Sequence, residues 1–121
     1  MKIELEQVLP SQIEARSFEI IGEELKAMGK ELDPELAPVI MRAIHTTADF
    51  DYADHLKFSE NVVEKAREAI KNGAVIITDT KMGWSGVNKK RLESYGGEAL
   101  CFMADEDVAA EAKKNGSTRA V

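Results

Sequence analysis

At 121 residues, with 44% hydrophobic and 31% charged side chains, the chain has the make-up of a single folded domain rather than of a disordered segment. A formal net charge of −6 argues against nonspecific attachment to nucleic acid or anionic membrane, because both rely on Lys and Arg neutralising phosphates. No run approaches the roughly 18 apolar residues of a membrane span, the N-terminus lacks signal-peptide order, and the one cysteine, Cys101, allows no internal disulfide and fits a reducing cytoplasm.

In chain order, Ser11-Gln12-Ile13-Glu14 reads as a capping box, followed by Phe18, Ile21, Leu25 and Met28 at helical spacing as far as Gly29. Asp33 is placed to cap a second helix, with Pro34 in its first turn and Leu36, Val39, Ile40 and Ile44 on its apolar face. His45 falls at or near the end of that helix. Residues 46–58 carry no clear period and predict a loop. Ser59 then caps a third helix with an expected buried face of Val62, Val63, Ala66, Ala69 and Ile70, closed by Asn72-Gly73.

The short apolar run Ala74-Val75-Ile76-Ile77 has the pattern of a strand buried on both faces. Residues 81–86 predict a loop, and a short helix is expected near Val87–Ser94, ending at Gly96-Gly97. Residues 99–103 read as a second buried strand. Asp105 opens a last helix with acids in its first turn and Lys113 and Lys114 in its last, as the helix dipole favours. This order is the grammar of a parallel α/β sheet covered by helices on both faces. Two short strands are too few for such a sheet. The remaining strands are therefore expected from a longer chain or from a partner.

The densest chemistry lies in Arg42-Ala43-Ile44-His45-Thr46-Thr47-Ala48-Asp49-Phe50-Asp51-Tyr52. A histidine, two threonines and two aspartates there are costly to bury and add little to a core. Histidine has an unperturbed pKa of about 6.5 and can pass a proton near neutral pH. The plain structural reading is a helix-end histidine beside a carboxylate; the functional one is a proton donor poised among hydroxyls and acids. If the helix continued, His45 and Asp49 would share a face. His45, Asp49, Asp51, Asp54 and His55 are also chemically able to bind a metal, yet they follow no established ligand spacing.

Thr78-Asp79-Thr80 stands at the carboxyl end of a strand, where ligands bind in open α/β sheets. Gly83 and Gly86 in the following loop allow close backbone approach, and Trp84 offers a flat apolar surface. Neither phosphate-binding glycine pattern is matched. Ser117-Thr118-Arg119 is suited to grip a carboxylate, although such a triplet is more often a solvated tail.

Taken together, RAIHTTADFDY (Arg42 to Tyr52), Phe58-Ser59, GAVIITDTKM (Gly73 to Met82), Gly86 and GSTR (Gly116 to Arg119) resemble the precorrin-8X or cobalt-precorrin-8 methylmutases of cobalamin biosynthesis. The resemblance runs over nearly the whole chain, and its His-Thr-Thr-Ala-Asp block is specific. The family is longer, and its usual Thr-Arg-Ser is Thr-Arg-Ala here, so Ala120 lacks a hydroxyl. The resemblance implies a homodimeric isomerase on a flavodoxin-like three-layer α/β/α sandwich. It would move a methyl group from C-11 to C-12 of a corrin-type macrocycle without a cofactor or metal. His45 is the implied proton donor. Arg42, Thr46, Thr47, Asp49, Thr80, Met82, Gly86, Ser117, Thr118 and Arg119 are the implied substrate-binding residues. With a net charge of −6, local donors rather than the overall field must attract a polycarboxylate. A non-catalytic tetrapyrrole-binding relative and a metal-dependent hydrolase are the competing readings.

Overall fold

The computed structural model describes residues 7–121, whose contacts divide them into two units between Glu60 and Asn61. In the first unit a 3-10 turn, Pro10–Gln12, leads into helix α1 (Ile13–Ala27). The expected capping box does not form: Gln12 is the N-cap and makes no side-chain cap bond. Pro10, with its fixed φ, starts the winding early, so Ser11 already lies inside the turn. Beyond α1, Gly29 takes a φ of +68°.

Asp33 organises a turn instead of capping a helix. Its carboxylate accepts from the Glu35 N–H at 2.8 Å, and its carbonyl accepts from Leu36 and Ala37. Helix α2 (Ala37–Thr47) therefore starts one turn later than expected, and Pro38 takes the first-turn place assigned to Pro34. Early α1 (Phe18) meets late α2 (Arg42, His45), while Gly22 faces Met41, so the two helices run antiparallel. Between them Ile21, Leu25, Ile40 and Ile44 form a core, with Ile44 only 1% exposed.

Ala48, at a φ of 57°, turns the chain out of α2, its N–H bonding the Ile44 carbonyl. The predicted loop contains one helical turn, α3 (Tyr52–His55), whose Tyr52 and Ala53 pack on the core with Phe50, Leu56 and Phe58. The signal was invisible in the sequence because four residues are too few to show a helical period.

The second unit opens with α4 (Val62–Lys71). Asn61, in the left-handed region at a φ of 55°, replaces Ser59 as its N-cap. Only Val62 and Val63 of its expected apolar face are half-buried; Ala66, Ala69 and Ile70 are exposed. Strands β1 (Val75–Ile77) and β2 (Glu98–Leu100) pair in parallel with Ile76 opposite Ala99. Between them come α5 (Lys81–Gly86), where a loop was predicted, and α6 (Lys89–Glu93); α7 (Glu106–Lys114) follows β2. The α/β class is as the sequence predicts.

The sheet is covered on one side. Ile76 lines a cavity of about 260 Å³ with Ile70, Val87, Leu92 and Tyr95. Val75 and Ile77 point the opposite way and are 52% and 65% exposed, which corrects the expectation of a strand buried on both faces. Two glycines hold the strand starts together. Gly73 has a φ of +81°, and a Cβ there would lie 3.1 Å from the Gly96 carbonyl oxygen. At Gly97 a Cβ would meet the Ala74 carbonyl at 2.6 Å and Leu92 at 2.8 Å, so no larger side chain fits without a shift.

Candidate functional site

The first unit carries Arg42, His45, Thr46, Thr47 and Asp49; the second carries Thr80, Met82, Gly86, Ser117, Thr118 and Arg119. Each group is described within its own unit.

Helix geometry places Arg42 and His45 three residues apart on the same face of α2. Their neighbour Ile44 points into the core and anchors the turn that bears them. Phe18 of α1 rises beneath both. Its ring centroid lies 5.1 Å from that of His45, with the planes inclined by 34°, and the Arg42 guanidinium carbon sits 4.7 Å above the same ring. Contacts of these kinds contribute about 0.5–1.5 kcal/mol each, enough to favour one orientation of an exposed side chain. Arg42 also pairs with Glu14 at 2.5 Å, both side chains being more than half exposed. Among the described residues neither imidazole nitrogen of His45 has a hydrogen-bond partner, and the ring is exposed at the helix end.

The neighbouring polar groups are engaged locally. Thr46 Oγ1 donates to the Arg42 carbonyl at 2.9 Å, and Thr47 Oγ1 donates to the Ala43 carbonyl at 2.8 Å. Either hydroxyl would have to leave its helix carbonyl to donate to a ligand. Thr47 Oγ1 also accepts from the Asp49 N–H. Asp49 does not share a helix face with His45, because α2 ends at Thr47 and Ala48 turns left-handed. Its carboxylate instead accepts from the Asp51 N–H at 2.9 Å. Asp54 binds Lys30 at 2.5 Å, and the Lys30 ammonium holds its carboxyl below the usual value of 3.8. His55 Nδ1 sits 3.0 Å from the Asp51 carbonyl oxygen. Among the described residues no three His, Cys, Asp or Glu side chains converge as a metal-binding group.

In the second unit, parallel pairing puts the carboxyl ends of β1 and β2 at one edge of the sheet. Thr80 Oγ1 accepts from the Gly83 N–H at 2.9 Å and caps α5, leaving its own hydrogen to donate. Met82, the second residue of α5, is 84% exposed. Gly86 has open space around its missing Cβ and an ordinary φ, so nothing in the described chain requires glycine there. Trp84 is not the free flat surface expected of it. Its Nε1 donates to the Ala99 carbonyl at 2.9 Å, and Lys89 covers the ring at 3.9 Å from the centroid.

Lys81 Nζ reaches the Cys101 carbonyl at 3.4 Å and Arg119 donates to the Met103 carbonyl at 3.0 Å, so two cations gather just past β2. Ser117, Thr118 and Arg119 line a cavity of about 190 Å³ with Asp107, Glu111 and Asn115. A cavity of about 540 Å³ lies between the end of α1 and the start of α2, at the opposite end of the hairpin from His45. Its ionisable lining residues are Lys26, Lys30 and Glu31, and Lys30 is already paired with Asp54.

Sequence reasoning passed over Phe18, Glu14 and Lys81. Phe18 was read as a core residue and is partly one, since it packs on the hairpin core while its ring carries Arg42 and His45. Lys81 had a usable signal, standing directly after Thr78-Asp79-Thr80 at a strand end.

Comparison with known proteins identifies the family. The family model for precorrin-8X methylmutase matches residues 12–121. The cobalt-precorrin-8 methylmutase of Salmonella typhimurium is 39% identical over 115 residues, covering 93% of this chain and 55% of that protein. That of Leptospira interrogans is 42% identical over 113 residues, covering 93% of this chain and 50% of its own length. The crystal structure of precorrin-8x methyl mutase from Thermus thermophilus superposes with a TM-score of 0.73 at 37% identity, covering 84% of this chain and 50% of that one. The chain thus spans about half the length of these relatives. A family model matched over almost the whole described chain, together with a shared fold at this identity, means that the chain belongs to the precorrin-8X methylmutase family.

Proposed function

We propose that this chain supplies the histidine-bearing part of a methylmutase that moves a methyl group from C-11 to C-12 of precorrin-8X or cobalt-precorrin-8. The product would be hydrogenobyrinic or cobyrinic acid. The observation that carries the reading is the exposed imidazole of His45, free of hydrogen bonds among the described residues and seated beside Arg42 at the end of a helix whose preceding residues Ile40 and Ile44 anchor the core. His45 would donate a proton or hydrogen bond to the macrocycle while Arg42 takes one of its carboxylates. Because the methyl moves within one molecule, orientation and one well-placed proton supply much of the rate, and no cofactor is required.

Thr46, Thr47, Thr80, Ser117, Thr118 and Arg119 are the further polar contacts in this reading. Asp49 fixes the turn after His45, Met82 gives apolar contact, and Gly86 gives close approach. Both units would belong to one methylmutase-type domain of the flavodoxin-like three-layer kind. It would work in the cytoplasm as a homodimer.

Replacing His45 by Ala tests the role. Turnover of precorrin-8X should fall by about 10²–10⁴-fold, the usual contribution of a positioned acid. Binding of hydrogenobyrinic acid, followed by its visible absorbance, should persist. Equal turnover in the variant would remove His45 from the mechanism. A second reading, a tetrapyrrole-binding relative without turnover, is favoured by the bare Val75 and Ile77 face of a sheet with only two described strands. Saturable binding by the wild-type chain with no methyl shift under any condition would select it.

A further inference from the structure

The geometry points to Phe18 as a positioning residue that sets His45 and Arg42 together, an inference that rests on the methylmutase reading of their roles. Phe18 belongs to α1, while both polar residues belong to α2, so its contacts lock the presentation of the polar pair to the packing of the hairpin. The ring is partly buried and packs against the core cluster of Ile21, Leu25, Ile40 and Ile44. The ring also contacts the imidazole, 5.1 Å away between centroids, and the guanidinium at 4.7 Å.

The ring is the described neighbour that orients His45. The imidazole has no hydrogen-bond partner among the described residues, Thr46 and Thr47 turn their hydroxyls back to the helix, and Asp49 is committed to Asp51. A catalytic histidine is ordinarily oriented by a hydrogen bond from a third group. An aromatic face takes that place here, fixing the ring plane while leaving both nitrogens free for a ligand. Arg42 is steered by the same ring and by Glu14, a weak exposed pair that an incoming carboxylate can displace.

The test uses the full chain with Phe18→Leu and Phe18→Met, two apolar side chains without a ring, and Phe18→Tyr, which keeps one. Running both ring-less variants keeps the result from depending on one of them folding. The His45 ring protons are followed by NMR, and affinity for hydrogenobyrinic acid by absorbance titration. In the ring-less variants the His45 resonances should lose the ring-current shift and their contacts to position 18. Affinity should weaken by about twofold to fivefold, in line with losing the cation–π contact that steers Arg42. Phe18→Tyr should restore both.

Unchanged His45 resonances in a folded ring-less variant would overturn the assignment, and so would unchanged affinity. A wild-type chain that shows the His45–Phe18 contact by NMR yet gives no titration would refute the corrinoid reading instead. The NMR comparison alone would then uphold or overturn the positioning of His45.

Discussion

The two units solve the burial problem differently. The first has a contiguous core, although Ile20, Met28 and Val39 stay exposed: two antiparallel helices and the turn α3 enclose four buried aliphatic side chains, and Ile44 is sealed to 1% exposure. The second is held by close backbone approach at Gly73 and Gly97 and by scattered buried residues, Leu92, Cys101 and Ala112. It leaves Val75, Ile77 and Phe102 exposed. The contiguous hairpin core fixes the turn of α2 that bears His45. The half-covered sheet holds its polar groups at the carboxyl edge by tethers from Lys81 and Arg119 to backbone carbonyls.

Substitution can break this contrast. The largest effect should come from Ile44→Ala, which removes fully buried methylenes and should cost about 2–5 kcal/mol in urea unfolding. The matching change Ile77→Ala on the bare face should cost well under about 1 kcal/mol, because that side chain is 65% exposed. Equal costs would mean that the face of β1 is buried in solution. Next in size is Gly97→Ala, expected to cost about 1–3 kcal/mol, since its Cβ would collide with the Ala74 carbonyl and Leu92. A midpoint equal to that of the wild type would show that the two strand starts are looser than this contact implies.

The smallest effect concerns pH. The hydrogen bond from Lys30 lowers the Asp54 carboxyl below 3.8, so the pair stabilises the folded state above the ordinary carboxylate range. That contribution is lost as pH falls through the lowered value. Asp54→Asn should therefore be slightly less stable than the wild type at neutral pH, and the gap should close in strong acid. A gap that is constant across the acid limb would show that Asp54 acts through packing instead of charge.

How much of this was legible in advance follows from the range of each signal. Helical spacing is local and repeats, so α1, α2, α4 and α7 were found from Ile21, Ile40, Val62 and the charge order around α7. Caps failed more often. Ser11, Asp33 and Ser59 were each a plausible cap, and each lost to a turn begun by a nearby Pro10, Asp33 carbonyl or Asn61. The short helices α3 and α5, of four and six residues, are too short to show a period. For the site, the composition around His45 was enough to single out the histidine, since a cluster of unburiable groups has few structural uses. The wiring between those groups was beyond reach, because it depends on where α2 stops.

The amino-acid sequence by itself determined the α/β class, the family and the place of His45 at a helix end, because each is written in periodicity or in a contiguous motif. Tertiary structure alone decided that Phe18 lies under His45 and Arg42, that Trp84 is clamped to β2 beneath Lys89, and that Asp49 turns away from the imidazole. The first two join residues from different elements, and the third hangs on a single left-handed residue, Ala48. Packing sets such relations through distances that no local pattern encodes.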